Sequence, residues 1–179
     1  MADEKKDKWL NYLALSTVIL AVCTALSTFK AGGFSSRSIL SQSQASNQWS
    51  YYQAKSIKSY LYELQADQLA AELKGLDAKA SAAAREGIQA RFDAYRAKVA
   101  RYEEEKGGIQ KEAQRLEAVR DGAQVHGRIF GMAVIFLQIA ILLSSVAALM
   151  KKPWVWVGGL AVGAVGLFYF LDGFLLFMR

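Results

Sequence analysis

The sequence predicts an all-α membrane protein with three transmembrane helices and a long antiparallel, coiled-coil-like helical hairpin between the first and the second. Three observations lead to this fold class. The 179 residues are 53% hydrophobic yet 21% charged, and the charges are segregated. Uncharged stretches of 21 and 22 residues occupy Trp9–Phe29 and Ile129–Met150. Between these stretches the chain has no proline and repeats apolar residues with heptad spacing.

The lengths of the uncharged stretches fit a lipid bilayer. A helix rises about 1.5 Å per residue, so about 20 apolar residues cross the hydrocarbon core. After a charged N-terminal tail at 1–8, the transmembrane helices are predicted at 9–30, 129–150 and 153–178. Lys151-Lys152-Pro153 places a basic turn before the third helix, with proline at its first position, which predicts a tight membrane hairpin.

The middle segment, 31–128, is predicted to be an extramembrane helical hairpin. It carries 15 Lys+Arg and 12 Asp+Glu and is rich in helix-forming residues. The turn is expected near 75–82, where Gly75 offers a helix stop and Asp77 and Ser81 offer N-caps. The return half carries a heptad seam, whose apolar members are the predicted oligomer contacts: Ile88, Phe92, Tyr95, Val99, Tyr102, Ile109 and Leu116.

The seam continues in register into the second span, so the return half and that span are expected to form one helix. The outgoing half shows a shorter seam, made of Leu40, Ala54, Ile57, Leu61, Leu64 and Ala71. Gly32-Gly33 predicts a bend and Gly107-Gly108 a kink. Because two helices bury each other poorly, partner helices from further copies are expected, in a homo-oligomer. The alternative is a solvated monomeric hairpin.

Small residues in the spans predict close packing of helices in lipid. The predicted packing residues are Ala14, Thr17, Ala21, Thr24, Thr28, Gly159, Gly163 and Gly166. The alternative is that Thr17, Thr24 and Gln138 line a pore.

A nearly uncharged, hydrogen-bonding run extends from Gln42 to Ser50, and aromatic and basic residues follow it. It predicts either the lining of a water-filled vestibule and contacts to lipid headgroups, or interhelical hydrogen bonds with aromatic anchoring. Asp172 stands alone in an apolar stretch and is expected near the far membrane interface. The candidate pore or lipid contacts are Arg37, Gln42, Gln44, Gln48, Trp49, Lys55, Lys58, Gln138 and Asp172.

Several function classes are disfavoured. The chain has one Cys and one His, which excludes a disulfide framework within it and any site built on two imidazoles of one chain. It carries no phosphate loop, nucleotide fingerprint or nucleophile elbow. Acids interspersed with the bases argue against nucleic acid, despite the net charge of +6. We therefore expect no enzyme, no cofactor and no metal.

The region from Trp9 to Leu64 is the most distinctive part of the sequence. It contains the segments Trp9–Thr17, Ser27–Lys30, Ser36–Ser38, Gln42–Ser46, Gln48-Trp49, Tyr51–Lys58 and Tyr62-Glu63. These segments resemble the uncharacterised bacterial family numbered 4337 in the domain-of-unknown-function series, and the resemblance extends to the paired C-terminal spans. It implies a bacterial membrane protein with a helical middle region. It brings no activity, cofactor or catalytic residue.

Membrane orientation is expected from the short basic segments. Lys5, Lys6 and Lys8 would share one side of the membrane with Lys151 and Lys152. The positive-inside rule weights such short segments and loses force for long translocated ones. In a bacterial inner membrane, we therefore expect a cytoplasmic N-terminus and a periplasmic hairpin.

Three functions remain open from the sequence. The first is a non-enzymatic oligomeric scaffold of projecting hairpins in contact with membrane lipids. The second is an oligomeric channel lined by the first span and the run Gln42–Ser50. The third is an accessory subunit that docks on a larger membrane complex.

Overall fold

The computed structural model describes residues 2–76 and 82–176, with the backbone alone at 2–7. These residues form three helices: α1 (Ala2–Gly75), α2 (Ala82–Met150) and α3 (Pro153–Leu175). The first two are long and pack antiparallel, so the predicted all-α class with a helical hairpin is confirmed. Asp77 and Ser81, the predicted turn caps, lie outside the described residues.

The long helices are continuous through both glycine pairs. Gly32 and Gly33 lie inside α1, and Gly107 and Gly108 lie inside α2, so neither pair ends its helix. A glycine costs a helix only about 1 kcal/mol relative to alanine, which the long helical stretches on either side offset. The predicted continuity of the return leg with the second span is confirmed, because α2 contains both.

Each of the three helices contains a stretch that is long and apolar enough to cross a membrane, judged by length and composition. The turn between α2 and α3 has the predicted basic residues. Lys151 adopts a left-handed conformation with φ of 54°, Lys152 is the N-cap of α3, and Pro153 opens it. Because proline presets the helical φ and needs no donor at this position, the turn reverses the chain in two residues.

The chain divides into two compact units. The first comprises the residues up to Leu40 together with those from Val119 onward, and the second comprises Ser41–Ala118. In the first unit, α3 packs against α2 through glycines. A Cβ at position 166 would lie 2.8 Å from Leu137 Cγ, and one at position 173 would lie 2.8 Å from the Phe130 ring. No larger residue fits either position without a shift of its neighbours.

In the second unit, α1 presents small residues to α2. Ala45, Ser59 and Ala66 are buried, whereas the opposing row of α2 supplies the large rings of Tyr95 and Tyr102. Small side chains on one helix leave the volume that large side chains on the other fill. The predicted seam of the outgoing half does not face α2, since all its members are exposed in the single chain: Leu40, Ala54, Ile57, Leu61, Leu64 and Ala71.

Candidate functional site

The heptad seam of α2 packs inside a single chain. Its predicted members Ile88, Phe92, Tyr95, Val99, Tyr102 and Ile109 are half-buried, and Leu116 is buried. Tyr62 of α1 lies between the rings of Tyr95 and Tyr102, with centroid distances of 5.5 and 5.9 Å. This face of α2 therefore packs largely against α1 within the chain.

Partly buried polar contacts fix how the hairpin helices align. Ser59 of α1 donates its hydroxyl to Glu103 of α2 at 2.8 Å, and Lys106 donates to the same carboxylate at 2.6 Å. Lys106 is only 8% exposed, and its ammonium lies 5.6 Å from the Tyr52 centroid and 5.8 Å from that of Tyr60. A buried charge is tolerated where a partner and aromatic faces replace its water. Sliding the helices would separate these groups, so the contacts specify one alignment.

A second charged contact lies nearby. Lys55 of α1 forms an ion pair with Glu105 of α2, and its ammonium lies 4.9 Å from the centroid of Tyr102. The hydrogen bond to Glu105 raises the pKa of Lys55, and the same bond, with one from Arg101, lowers the pKa of Glu105. Trp49 donates its indole N–H to Glu117 at 2.9 Å. Lys55 and Trp49, candidate pore or lipid contacts, are thus engaged inside the hairpin.

The other polar candidates remain at the surface of the chain. Gln42 and Gln44 are exposed and Gln48 is half-buried. Arg37, Lys58 and Gln138 are exposed as well.

Three large aliphatic side chains of α1 in the second unit point away from α2. Ile57, Leu61 and Leu64 are 60%, 55% and 57% exposed, and their spacing of four and three residues aligns them along one side of the helix. We call these three residues the apolar row. Among the described residues of the second unit, large exposed hydrophobic side chains occur only on α1, and α2 contributes none there. The row is therefore an apolar surface without a partner in the chain.

The two sides of the apolar row carry opposite charge. On one side, a groove of about 480 Å³ between α1 and α2 is lined by Lys58, Leu61, Tyr62, Gln65, Tyr95, Lys98 and Tyr102; we call it the basic groove. Glu63 and Asp67 project from the other side of α1, and we call these two residues the acidic edge. Asp67 lies nine residues after Lys58, which is two and a half helical turns and therefore places it on the opposite side of the helix.

Neither the two lysines of the basic groove nor the two carboxylates of the acidic edge are neutralised within the described part of the chain. Among those residues, Lys58, Lys98, Glu63 and Asp67 form no ion pair. Sequence reasoning missed Lys98, Glu63 and Asp67. The four-residue spacing of Glu63 and Asp67 signals a shared face, but the position of Lys98 follows only from the packing of the two helices.

In the first unit, the packing row of α1 is shifted by one residue from the predicted one. Leu13, Leu20 and Ser27 are buried, whereas the predicted Ala14, Ala21 and Thr28 are exposed. The reason is that Gly163 of α3 leaves room for Leu20: a Cβ at Gly163 would lie 3.2 Å from a methyl of that side chain.

The remaining predicted packing residues have local partners. The hydroxyls of Thr17 and Thr24 donate to the carbonyls of Leu13 and Leu20, four residues earlier in α1. Such bonds within the helix satisfy a hydroxyl without a pore or a second helix. Gly159, like Gly163 and Gly166, lies against α2, because its Cβ would be 3.2 Å from the Ala140 carbonyl.

Asp172, which is expected near the far membrane interface, is buried by the protein around it. It is 1% exposed. Next to it, the carbonyl of Gly173 is bonded to His126 Nδ1 at 2.8 Å, and Phe34 stacks on the His126 ring at 4.6 Å. The glycine-mediated approach of α3 to α2 encloses this position, which the sequence pattern of α3 alone does not indicate.

The sequence matches a known protein family. Residues 9–176 match the domain of unknown function DUF4337. The chain belongs to the DUF4337 family. The match includes all three apolar stretches and the hairpin, and it confirms the resemblance seen in the sequence. No curated protein and no solved structure matches this DUF4337 chain. Within the described residues, no group of three or more His, Cys, Asp or Glu side chains could hold a metal ion.

Proposed function

We propose that this DUF4337 protein is a non-enzymatic, multi-pass protein of the bacterial inner membrane, and that its extramembrane hairpins join copies of the chain into a scaffold. The observation that carries the proposal is the apolar row of Ile57, Leu61 and Leu64 on the open side of α1. Burying an aliphatic side chain of this size contributes about 1.5–3 kcal/mol. Contact between copies would supply that burial.

The opposite charges on the two sides of the apolar row favour a second copy of the chain as the partner that covers the row. Copies inserted in one membrane with the same orientation carry parallel hairpins. Placed side by side, the acidic edge of one copy, Glu63 and Asp67, faces the basic groove of the next, with Lys58 and Lys98. Because the two surfaces differ, the contact is heterologous, and repeating it around an axis closes a ring. The apolar rows, which lie between the two flanks, then face that common axis.

Membrane insertion rests on the three apolar stretches and on the short basic segments. The positive-inside rule places the N-terminus and the Lys151-Lys152 turn in the cytoplasm and the hairpin in the periplasm. Labelling of single cysteines introduced in whole cells with a membrane-impermeant thiol reagent tests this orientation. A cysteine at Ala97 should react from outside and one at Lys151 should not, and the reverse result would contradict the orientation.

Light scattering of the full chain in mild detergent tests self-association. The wild-type protein is expected to be a multimer. Leu61→Glu places a charge in the apolar row and should yield monomers without loss of helix, because Leu61 is half exposed. Ala97→Glu adds the same charge at an exposed position of α2 and should leave the multimer intact. A wild-type monomer, or a Leu61→Glu protein as multimeric as Ala97→Glu, would contradict the proposal. A different protein retained on the wild-type monomer would indicate an accessory subunit instead.

A further inference from the structure

We propose that Lys30, Gly33 and Arg37 form a binding site for the phosphate headgroup of an anionic phospholipid. This site rests on the membrane insertion proposed above and is independent of self-association. It lies in the first unit, whereas the apolar row lies in the second.

The site is an open pocket on α1. A pocket of about 260 Å³ is lined by Phe29, Lys30, Gly33, Phe34 and Arg37. Lys30 and Arg37 are seven residues apart, which places them on the same side of the helix and about 10 Å apart along its axis. Gly33 lies between them, and a Cβ there would meet no atom within 4 Å. The space between the two cations is therefore free for an anionic group.

The pocket lies at the depth of lipid headgroups if the first span crosses a bilayer. Lys30 is the first charged residue after the 21 uncharged residues of Trp9–Phe29. The headgroup region extends about 5–8 Å beyond the hydrocarbon core on each side. Lys30 at the edge of the core and Arg37 farther out would thus bracket the level of a phosphate. Phe29, 78% exposed, lies next to Lys30 and would contact the acyl chain.

The charge that α1 itself contributes at the pocket is positive. No acidic residue occurs in the sequence between Asp7 and Glu63. Within the described part of the chain, neither Lys30 nor Arg37 forms an ion pair. The Lys30 ammonium lies 5.6 Å from the centroid of Phe174, a contact that orients the cation without neutralising it. Basic pockets of this kind beside membrane helices favour anionic headgroups.

One wall of the pocket is held in place by neighbouring helices. The ring of Phe34 stacks on His126 of α2, with centroids 4.6 Å apart and an interplanar angle of 9°. His126 is in turn hydrogen-bonded to the Gly173 carbonyl of α3. The pocket is therefore formed before a lipid binds, which lowers the ordering cost of binding.

Native mass spectrometry of the full chain in detergent, titrated with phosphatidylglycerol or phosphatidylcholine, tests the site. The wild type should prefer phosphatidylglycerol. The double variant Lys30→Ala/Arg37→Ala should bind it about 20- to 30-fold more weakly, because each cation near an anionic lipid contributes about fivefold. The control Arg91→Ala/Arg96→Ala removes the same charge from exposed positions of α2 and should bind like the wild type.

A second variant changes the space and keeps the charge. Gly33→Leu fills the pocket and should weaken phosphatidylglycerol binding, whereas Gly108→Leu, at another open helical position, should not. The proposal is contradicted if Lys30→Ala/Arg37→Ala binds phosphatidylglycerol as tightly as Arg91→Ala/Arg96→Ala, or if Gly33→Leu binds it as tightly as Gly108→Leu. It is also contradicted if inorganic phosphate displaces the lipid at equal concentration. A wild-type protein that stays in solution without detergent would instead contradict membrane insertion.

Discussion

Ser59 of α1 donates a hydrogen bond of 2.8 Å to Glu103 of α2, and Ile57 and Leu61, two residues to either side of Ser59, are exposed. The helix thus turns a small polar residue toward its partner and large aliphatic ones toward the surface. Lys106 completes the contact by binding the same carboxylate. This inverted placement of polar and apolar groups is the basis of the proposed self-association.

The contact predicts an acid-sensitive hairpin. Hydrogen bonds from Lys106 and Ser59 lower the pKa of Glu103 below its ordinary value of 4.5, and those from Lys55 and Arg101 lower the pKa of Glu105. A lowered pKa stabilises the fold fully above the ordinary value, and this contribution is lost as the pH falls through the folded-state pKa. The Tm should therefore decrease as the pH is lowered below the ordinary value of 4.5.

Circular dichroism melts of the wild type and of Glu103→Gln/Glu105→Gln measure this effect. The variant should be less stable at pH 7 and should lose less of its remaining stability between pH 5 and pH 3. At the alkaline end, the raised pKa values of Lys55 and Lys106 keep their contribution complete up to the ordinary lysine value of 10.5. An equal acid-induced loss in the wild type and the variant would count against the assigned contacts.

Ala66 should not tolerate a larger side chain. It is fully buried where α1 meets α2, so Ala66→Leu is expected to destabilise the chain by about 1–3 kcal/mol through overpacking. Ala97→Leu makes the same substitution at an exposed position and should be nearly neutral. Denaturant unfolding followed by circular dichroism compares the two. Equal stabilities would mean that Ala66 does not lie in the packed face.

The glycines of α3 give a matched test in the first unit. Gly166→Ala places a methyl group 2.8 Å from Leu137 Cγ and should cost about 1–3 kcal/mol. Gly158→Ala meets no atom within 4 Å and should be neutral or slightly stabilising, because alanine favours the helix. Thermal unfolding in detergent measures both variants. A Gly166→Ala protein as stable as Gly158→Ala would contradict the close approach of α3 to α2.

Charge reversal tests the contact between the basic groove and the acidic edge. Lys58→Glu/Lys98→Glu and Glu63→Lys/Asp67→Lys should each reduce the multimer in light scattering, because like charges then face each other. Mixing the two variants, or combining all four changes in one chain, should restore association. Loss of association that the combination fails to restore would show that these side chains do not pair between copies.

Helix content and the return seam could be predicted from the sequence, because uncharged length and heptad spacing are properties of a single helix. The seam of α2 from Ile88 to Leu116 is half-buried or buried throughout. The face of α1 could not be predicted in this way. The usual assumption that large aliphatic residues face inward fails for Leu61 and Leu64, because the tyrosines and lysines of α2 need small partners such as Ser59 and Ala66.

The candidate site was predicted less fully, because it depends on which helices meet. Lys58 stood out by its aromatic surroundings, but its groove partner Lys98 belongs to the other helix. The distance of Asp172 along α3 indicates its depth, but its burial could not be predicted, since it depends on the close approach of Gly173 to the Phe130 ring of α2. Such positions follow from packing in three dimensions, which residue spacing does not encode.

Disulfide crosslinking tests the central claim, a heterologous contact between copies. Gln65→Cys, in the basic groove, and Asp67→Cys, in the acidic edge, are introduced together in a Cys23→Ser chain, which removes the one native cysteine. The two side chains project from opposite sides of α1, which prevents a bond within one copy, and they are only about 3 Å apart along the helix axis, so they lie at nearly the same height in neighbouring parallel copies. On oxidation in the membrane, the double variant should form a ladder of multimers, while each single variant stays uncrosslinked. Dimers from a single variant, or no ladder from the double variant, would contradict the account.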